Sequence, residues 1–167
     1  MTLVTDGRLH YLGRVENQRL IASQIGAIAK AFWYEIPKYS KFVRLGAFTL
    51  MPNHLHGIIN IIGQNNLLVF RQKEAPNPET STNYFGDISP KSGSLGQILR
   101  SYKSAVTREV RRNGWAFGWQ PGYHDQVIRQ GTHYQSIENY IKTNPLRWKE
   151  DGYRTSRLPN DGRDDAE

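Results

Sequence analysis

The chain has 167 residues, 38% of them hydrophobic and 22% charged, which suits one globular domain with room for an insertion and excludes a disordered chain. Its 22 Lys+Arg against 15 Asp+Glu give a formal charge of +7; Asp161, Asp164, Asp165 and Glu167 near the C-terminus are opposed there only by Arg163, so the remaining body carries +10 and fits an anionic partner, nucleic acid or an acidic membrane surface. The absence of cysteine excludes disulfide scaffolds, Cys-ligated zinc, iron–sulfur clusters and thiol nucleophiles. No apolar run approaches the roughly 18 residues of a membrane span, and Met1 to Gly13 lacks the pattern of a secretory leader, so a cytoplasmic location is expected.

Met1 to Thr5 reads as a short strand stopped by Asp6-Gly7. Leu9–Val15 and Arg19–Ile21 fit a small hairpin around Glu16-Asn17. Ser23 is placed to cap a helix in which Ile25, Ile28, Ala29, Phe32, Trp33 and Ile36 recur at helical spacing, with Pro37 expected to close it. Phe42–Met51 and His54–Ile62 read as a strand pair turning at Pro52-Asn53. Residues 63–93 are rich in Asn, Pro, Ser, Thr and Gly without a sustained period, the composition of a long surface insertion.

Ser94 and Gln97 have capping-box spacing, and the helix behind them sets Leu95, Ile98, Leu99, Tyr102, Ala105, Val106 and Val110 on one stripe. Its other faces carry Arg100, Lys103, Arg108, Arg111 and Arg112 before Asn113-Gly114 ends it. A further strand is expected over His124–Arg129, entered through Pro121-Gly122. A last helix is expected to start after Thr132, where Thr132 and Gln135 repeat the capping-box spacing, run to Asn144 and stop at Pro145. Strand, helix, strand pair, helix, strand and helix is the order of a ferredoxin-like α+β sandwich with an antiparallel sheet and an extra C-terminal helix. A fold of this kind hosts many activities, so function rests on the site.

His54 and His56 flank Leu55, so on a strand both imidazoles point to one face and can converge on a divalent ion. Two solvent-facing histidines on a half-exposed strand are the plainer alternative. On the last helix Tyr140 and Asn144 are one turn apart on the flank of the stripe Tyr134, Ile137, Ile141. Asn144 can offer an amide oxygen as a third ligand, or simply cap the helix before Pro145. Tyr140 is a potential nucleophile beside a cation-held phosphate, or one of nine tyrosines that packs. The cations Arg100, Lys103, Arg108, Arg111 and Arg112 suit phosphate contacts or a solvated face, and Trp115, Phe117 and Trp119 suit base stacking or core.

Met51-Pro52-Asn53-His54-Leu55-His56-Gly57 resembles the His-hydrophobic-His motif of single-tyrosine transposases. Tyr140-Ile141-Lys142-Thr143-Asn144-Pro145 resembles the tyrosine helix of the REP-associated tyrosine transposase branch. The likeness continues, in order, through Ser94-Leu95-Gly96, Phe117–Pro121, His124–Arg129 and Leu146-Arg147-Trp148. It spans roughly residues 1–150, leaving 151–167 as a polar, acidic tail.

The resemblance implies a Mg²⁺ or Mn²⁺ ion on His54, His56 and Asn144, with Tyr140 as the nucleophile. It also implies cleavage and rejoining of single-stranded DNA near hairpins, such as REP-type palindromes, through a 5′-phosphotyrosine. The alternative is a non-catalytic nucleic-acid-binding module on the same fold. Monomer and homodimer are both open.

Overall fold

The computed structural model describes residues 1–62, 93–129 and 131–154, so the expected insertion over residues 63–93, apart from Gly93, and the acidic stretch after Arg154 lie outside the described residues. The sheet is built on one hairpin. Strands β4 (Val43–Leu50) and β5 (His54–Ile61) pair antiparallel around Met51-Pro52-Asn53, with Leu50 opposite Leu55 and Thr49 opposite His56. The pairing register shifts between Leu45 and Phe48. Strand β1 (Thr2–Val4) pairs antiparallel with the other edge of β5, setting Thr2 against His56 and Val4 against His54.

The chain from Gly118 to His124 runs along the free edge of β1 without becoming a regular strand. Asp6 N–H donates to the Gly118 carbonyl (2.9 Å) and Gln120 N–H to the Val4 carbonyl (2.9 Å). Thr2 and His124 exchange both backbone bonds, at 2.7 and 3.1 Å. The strand expected over His124–Arg129 is therefore a wrong expectation: the segment pairs before His124, not after it. In this antiparallel register the residues after His124 run past the start of β1 and meet no ladder partner among the described residues. Pro121-Gly122 bows the chain outward between the two bridges, with Gly122 at φ 71°. The resulting order, edge segment, β1, β5, β4, is that of a ferredoxin-like α+β sheet.

One face of the sheet carries two helices. The Ser23 hydroxyl accepts Gly26 N–H at 3.0 Å and starts α1 (Gln24–Tyr39). Pro37 does not close this helix; it sits in the last turn, where it removes one donor, and Ser40 N–H still reaches the Ile36 carbonyl at 3.0 Å. Helix α2 (Leu95–Arg112) starts as expected, with Gln97 N–H on the Ser94 hydroxyl and the Gln97 side chain accepting Gly93 N–H. It buries Ile98, Leu99, Tyr102, Val106 and Val110, while Leu95 and Ala105 are half-buried. Tyr102 donates its hydroxyl to the Ala29 carbonyl at 2.9 Å, which pins α2 to α1. Leu3, Leu55 and Trp33 complete this apolar layer. Only glycine fits at position 57, because a Cβ there would lie 2.3 Å from the Trp33 ring, which stacks on Phe48 at 4.9 Å.

The small hairpin forms between β2 (Gly13–Glu16) and β3 (Arg19–Ala22). Its turn is Asn17-Gln18, one residue later than expected, with φ of 47° and 63° as a two-residue hairpin turn requires. Helix α3 (Gly131–Thr143) lies over β4 and β5. Its Tyr134 hydroxyl sits 2.8 Å from where a Cβ on Gly46 would be, so glycine lets the helix approach the strand. The expected cap at Thr132 is not one: the helix starts at Gly131, and the Thr132 carbonyl accepts the Ser136 hydroxyl at 3.2 Å. The α-helix ends at Thr143, just before Asn144-Pro145, within one residue of the expected stop. Pro145 enters the first turn of a separate 3-10 helix, Asn144–Glu150, where its missing N–H costs nothing. Among the described residues no helix is long and apolar enough to cross a membrane.

Candidate active site

Alternation along β5 sends Leu55 and Gly57 toward the helical layer and His54 and His56 to the opposite face. The reading of solvent-facing histidines fails there: His54 is 0% exposed and His56 is 6% exposed. Their Nε2 atoms approach to 3.1 Å, and the rings meet edge to face at 4.7 Å. Each Nδ1 has its own partner, Asn53 Oδ1 at 2.9 Å for His54 and Thr2 Oγ1 at 2.8 Å for His56. Burial, then the neighbouring His56, pulls the His54 pKa down to about 2; burial, then the N-terminal ammonium, pulls His56 down to about 4. Both rings are neutral at pH 7, the state in which imidazole nitrogen ligates a metal.

A third donor comes from an unexpected place. After the 3-10 helix the chain folds back over the histidines, and Asp151 Oδ2 lies 3.6 Å from His54 Nε2. His54, His56 and Asp151 each offer a ligand atom within 4.8 Å of the others. Burial raises the Asp151 pKa, and the Tyr153 N–H bond to its Oδ1 (2.7 Å) works in the opposite direction. Tyr153 lays its ring 4.8 Å from His54 and 6.4 Å from His56, and Trp148 lies 6.2 Å from His54. The Arg8 guanidinium sits 5.6 Å over the other aromatic partner, Tyr153. Sequence reading missed Asp151 and Tyr153, because nothing in a polar stretch past Pro145 signals a return to β5.

Tyr140 lies beside this cluster, its ring 5.6 Å from that of His56 at 65°. It is 47% exposed, so a polymer substrate has access to it from solvent. Asn144 is 2% exposed at the start of the 3-10 helix, and its Oδ1 is buried without a hydrogen-bond partner. An orphaned amide oxygen is a costly group to bury and suits a cation. The donor set of the cluster, two imidazole nitrogens and a carboxylate oxygen, matches a divalent metal of borderline or hard character.

The basic residues of α2 separate into groups. Lys103 donates to the carbonyls of Gln120 (2.6 Å) and Gly122 (2.9 Å), holding the bowed edge segment. Arg112 pairs with Glu109 at 2.9 Å. The side chains of Arg100, Arg108 and Arg111 make no ion pair or hydrogen bond among the described residues. Arg108 and Arg111 line an open cleft of about 590 Å³ with Lys103, Ser104, Thr107 and Trp119. Phe117 is buried, Trp115 and Trp119 pack against the core, and Trp119 leans on Phe117 at 5.0 Å.

No family model matches the chain. It is 36% identical over 157 residues to an uncharacterized protein of Haemophilus influenzae, covering 90% of this chain and 81% of that protein. Among solved structures it is similar to a REP-associated tyrosine transposase bound to a REP hairpin, with a TM-score of 0.55 and 16% identity, over 92% of this chain and 67% of that one. The chain therefore belongs to the family of the Haemophilus influenzae protein, and it has the fold of a tyrosine transposase.

Proposed function

We propose that this chain is a metal-dependent, transposase-like enzyme that cleaves and rejoins single-stranded DNA near hairpins, with Tyr140 as its nucleophile. The observation that carries this reading is the convergence of His54 Nε2, His56 Nε2 and the Asp151 carboxylate beside the accessible ring of Tyr140. The fold shared with a transposase that was solved on a REP hairpin supports the substrate class. So does the row of cations on α2.

His54, His56 and Asp151 would hold Mg²⁺ or Mn²⁺, and the partnerless Oδ1 of Asn144 is the further oxygen offered to it. When bound, the ion supplies positive charge to the phosphate oxygens during displacement. Tyr140 Oη attacks the phosphorus, the phosphorus–O3′ bond breaks, and the phenol's proton is lost as the 3′-oxygen gains one. The product is a 5′-phosphotyrosine and a free 3′-hydroxyl. Because one phosphodiester replaces another, a 3′-hydroxyl can reverse the step without ATP. Arg100, Arg108, Arg111 and Arg112 would lead the DNA backbone along α2, while Lys103 holds the rim of the cleft.

The test incubates the protein and a Tyr140→Phe variant with hairpin-bearing single-stranded DNA and Mn²⁺. A covalent adduct with the natural chain and none with the variant is expected. Salt-sensitive binding of the hairpin with no adduct in either protein would replace this reading with a non-catalytic binding module.

A further inference from the structure

We infer that Asn53 is a positioning residue that locks His54 in a single tautomer, whereas Thr2 leaves His56 free to exchange its own. The inference rests on the reading of the histidine pair as a cation site. Asn53 is 0% exposed in the turn before β5. Its Nδ2 donates to two backbone carbonyls, Arg8 at 3.1 Å and Tyr153 at 2.7 Å. Carbonyls accept only, so the amide cannot be flipped, and Oδ1 must be the atom that faces His54 Nδ1 at 2.9 Å. Nδ1 then carries the proton, and His54 Nε2 always presents a lone pair to the site.

His56 differs in one respect. Its Nδ1 meets the hydroxyl of Thr2 at 2.8 Å, and a hydroxyl both donates and accepts. Two lone pairs facing each other at the 3.1 Å Nε2–Nε2 distance would repel, so without a cation His56 Nε2–H donates to His54 and Thr2 donates to His56 Nδ1. For both Nε2 atoms to serve a cation, the His56 proton would have to sit on Nδ1, with the Thr2 hydroxyl turned to accept it. No net proton is lost from the pair. The site is thus hydrogen-bonded when empty, and only one imidazole must rearrange to load it. Asn53 also ties the turn to Tyr153 across 100 residues of sequence, so the same amide aims a ligand and holds the segment that carries Asp151.

The test is a long-range ¹H–¹⁵N correlation of the histidine rings in metal-free protein, followed by titration with Mn²⁺ alone. The expected spectrum has His54 protonated at Nδ1; a His54 protonated at Nε2 overturns the assignment. Asn53→Leu removes the acceptor and is expected to lose both the tautomer and about ten- to hundred-fold in Mn²⁺ affinity, the usual effect of a lost partner behind a metal ligand. Equal ring spectra for Asn53→Leu and the natural chain would overturn the role. If Asn53→Leu does not fold, the natural chain and Thr2→Val decide. Thr2→Val should weaken Mn²⁺ binding and leave the His54 resonances in place. A natural chain with the expected His54 tautomer and no Mn²⁺ affinity supports the role of Asn53 and removes the cation reading instead.

Discussion

The two faces of β5 are equally dry but are held together differently. Toward the helices, Leu55 and Gly57 meet Trp33 and a layer of aliphatic side chains, where dispersion and the exclusion of water do the work. Toward α3, His54 and His56 are buried just as deeply, and each depends on hydrogen-bond partners for its ring nitrogens. Burying polar groups is unfavourable unless they are paired. A single strand therefore carries a stabilising face and a chemical face one residue out of phase. The first face keeps the second rigid, because the Trp33 ring against Gly57 fixes the backbone between the imidazoles and the rest of β5.

This contrast is tested most strongly by pH. The depressed values of about 2 for His54 and about 4 for His56 mean that the unfolded chain takes up protons near pH 6.5 while the folded chain does not. Stability should be level above that point and fall as pH drops toward 4, by about 1.4 kcal/mol per pH unit for each imidazole. Urea denaturation from pH 7.5 to 4.5 measures it. A profile that is flat in the natural chain, or unchanged in a His54→Asn, His56→Asn variant, would show that the chemical face is not the acid-sensitive one.

The opposite face predicts a steric effect of somewhat smaller size. Gly57→Ala places a methyl 2.3 Å from the Trp33 ring, which must move, and should cost about 1–3 kcal/mol in urea unfolding. A change below a few tenths of a kcal/mol would mean that Trp33 is not held against β5. The smallest effect lies away from both faces. Replacing Arg108 and Arg111 with Gln should leave folding unchanged and reduce the slope of log affinity against log salt for single-stranded DNA by about one per residue. An unchanged slope would remove the cleft from the path of the DNA.

Elements with strong local signals were legible in the sequence. Runs of β-forming residues on either side of the Pro52-Asn53 turn mark β4 and β5, the helical stripe marks α2, and Ser23 and Ser94 cap where their side chains suggest. The edge segment departs from the expected strand because its pairing depends on where β1 begins, which no local pattern reports. Pro145 marks the end of α3 at Thr143, whereas Pro37 sits inside the last turn of α1, where its missing N–H removes little. In the site, His-x-His spacing was enough to bring two imidazoles together. Asp151 and Tyr153 were invisible because they arrive by a tertiary return anchored on Asn53, not by spacing on any element.

That return also sharpens the central claim, since it brings a second tyrosine to the histidines. Tyr153 stands 6.4 Å from His56, against 5.6 Å for Tyr140, but it lies beneath the Arg8 guanidinium, whereas Tyr140 is open to solvent. The most direct measurement traps the covalent product formed with hairpin-bearing single-stranded DNA and Mn²⁺, digests it, and maps the modified peptide by mass spectrometry. The account predicts a 5′-phosphonucleotide on Tyr140 alone; the same group on Tyr153, or on no tyrosine, would contradict it.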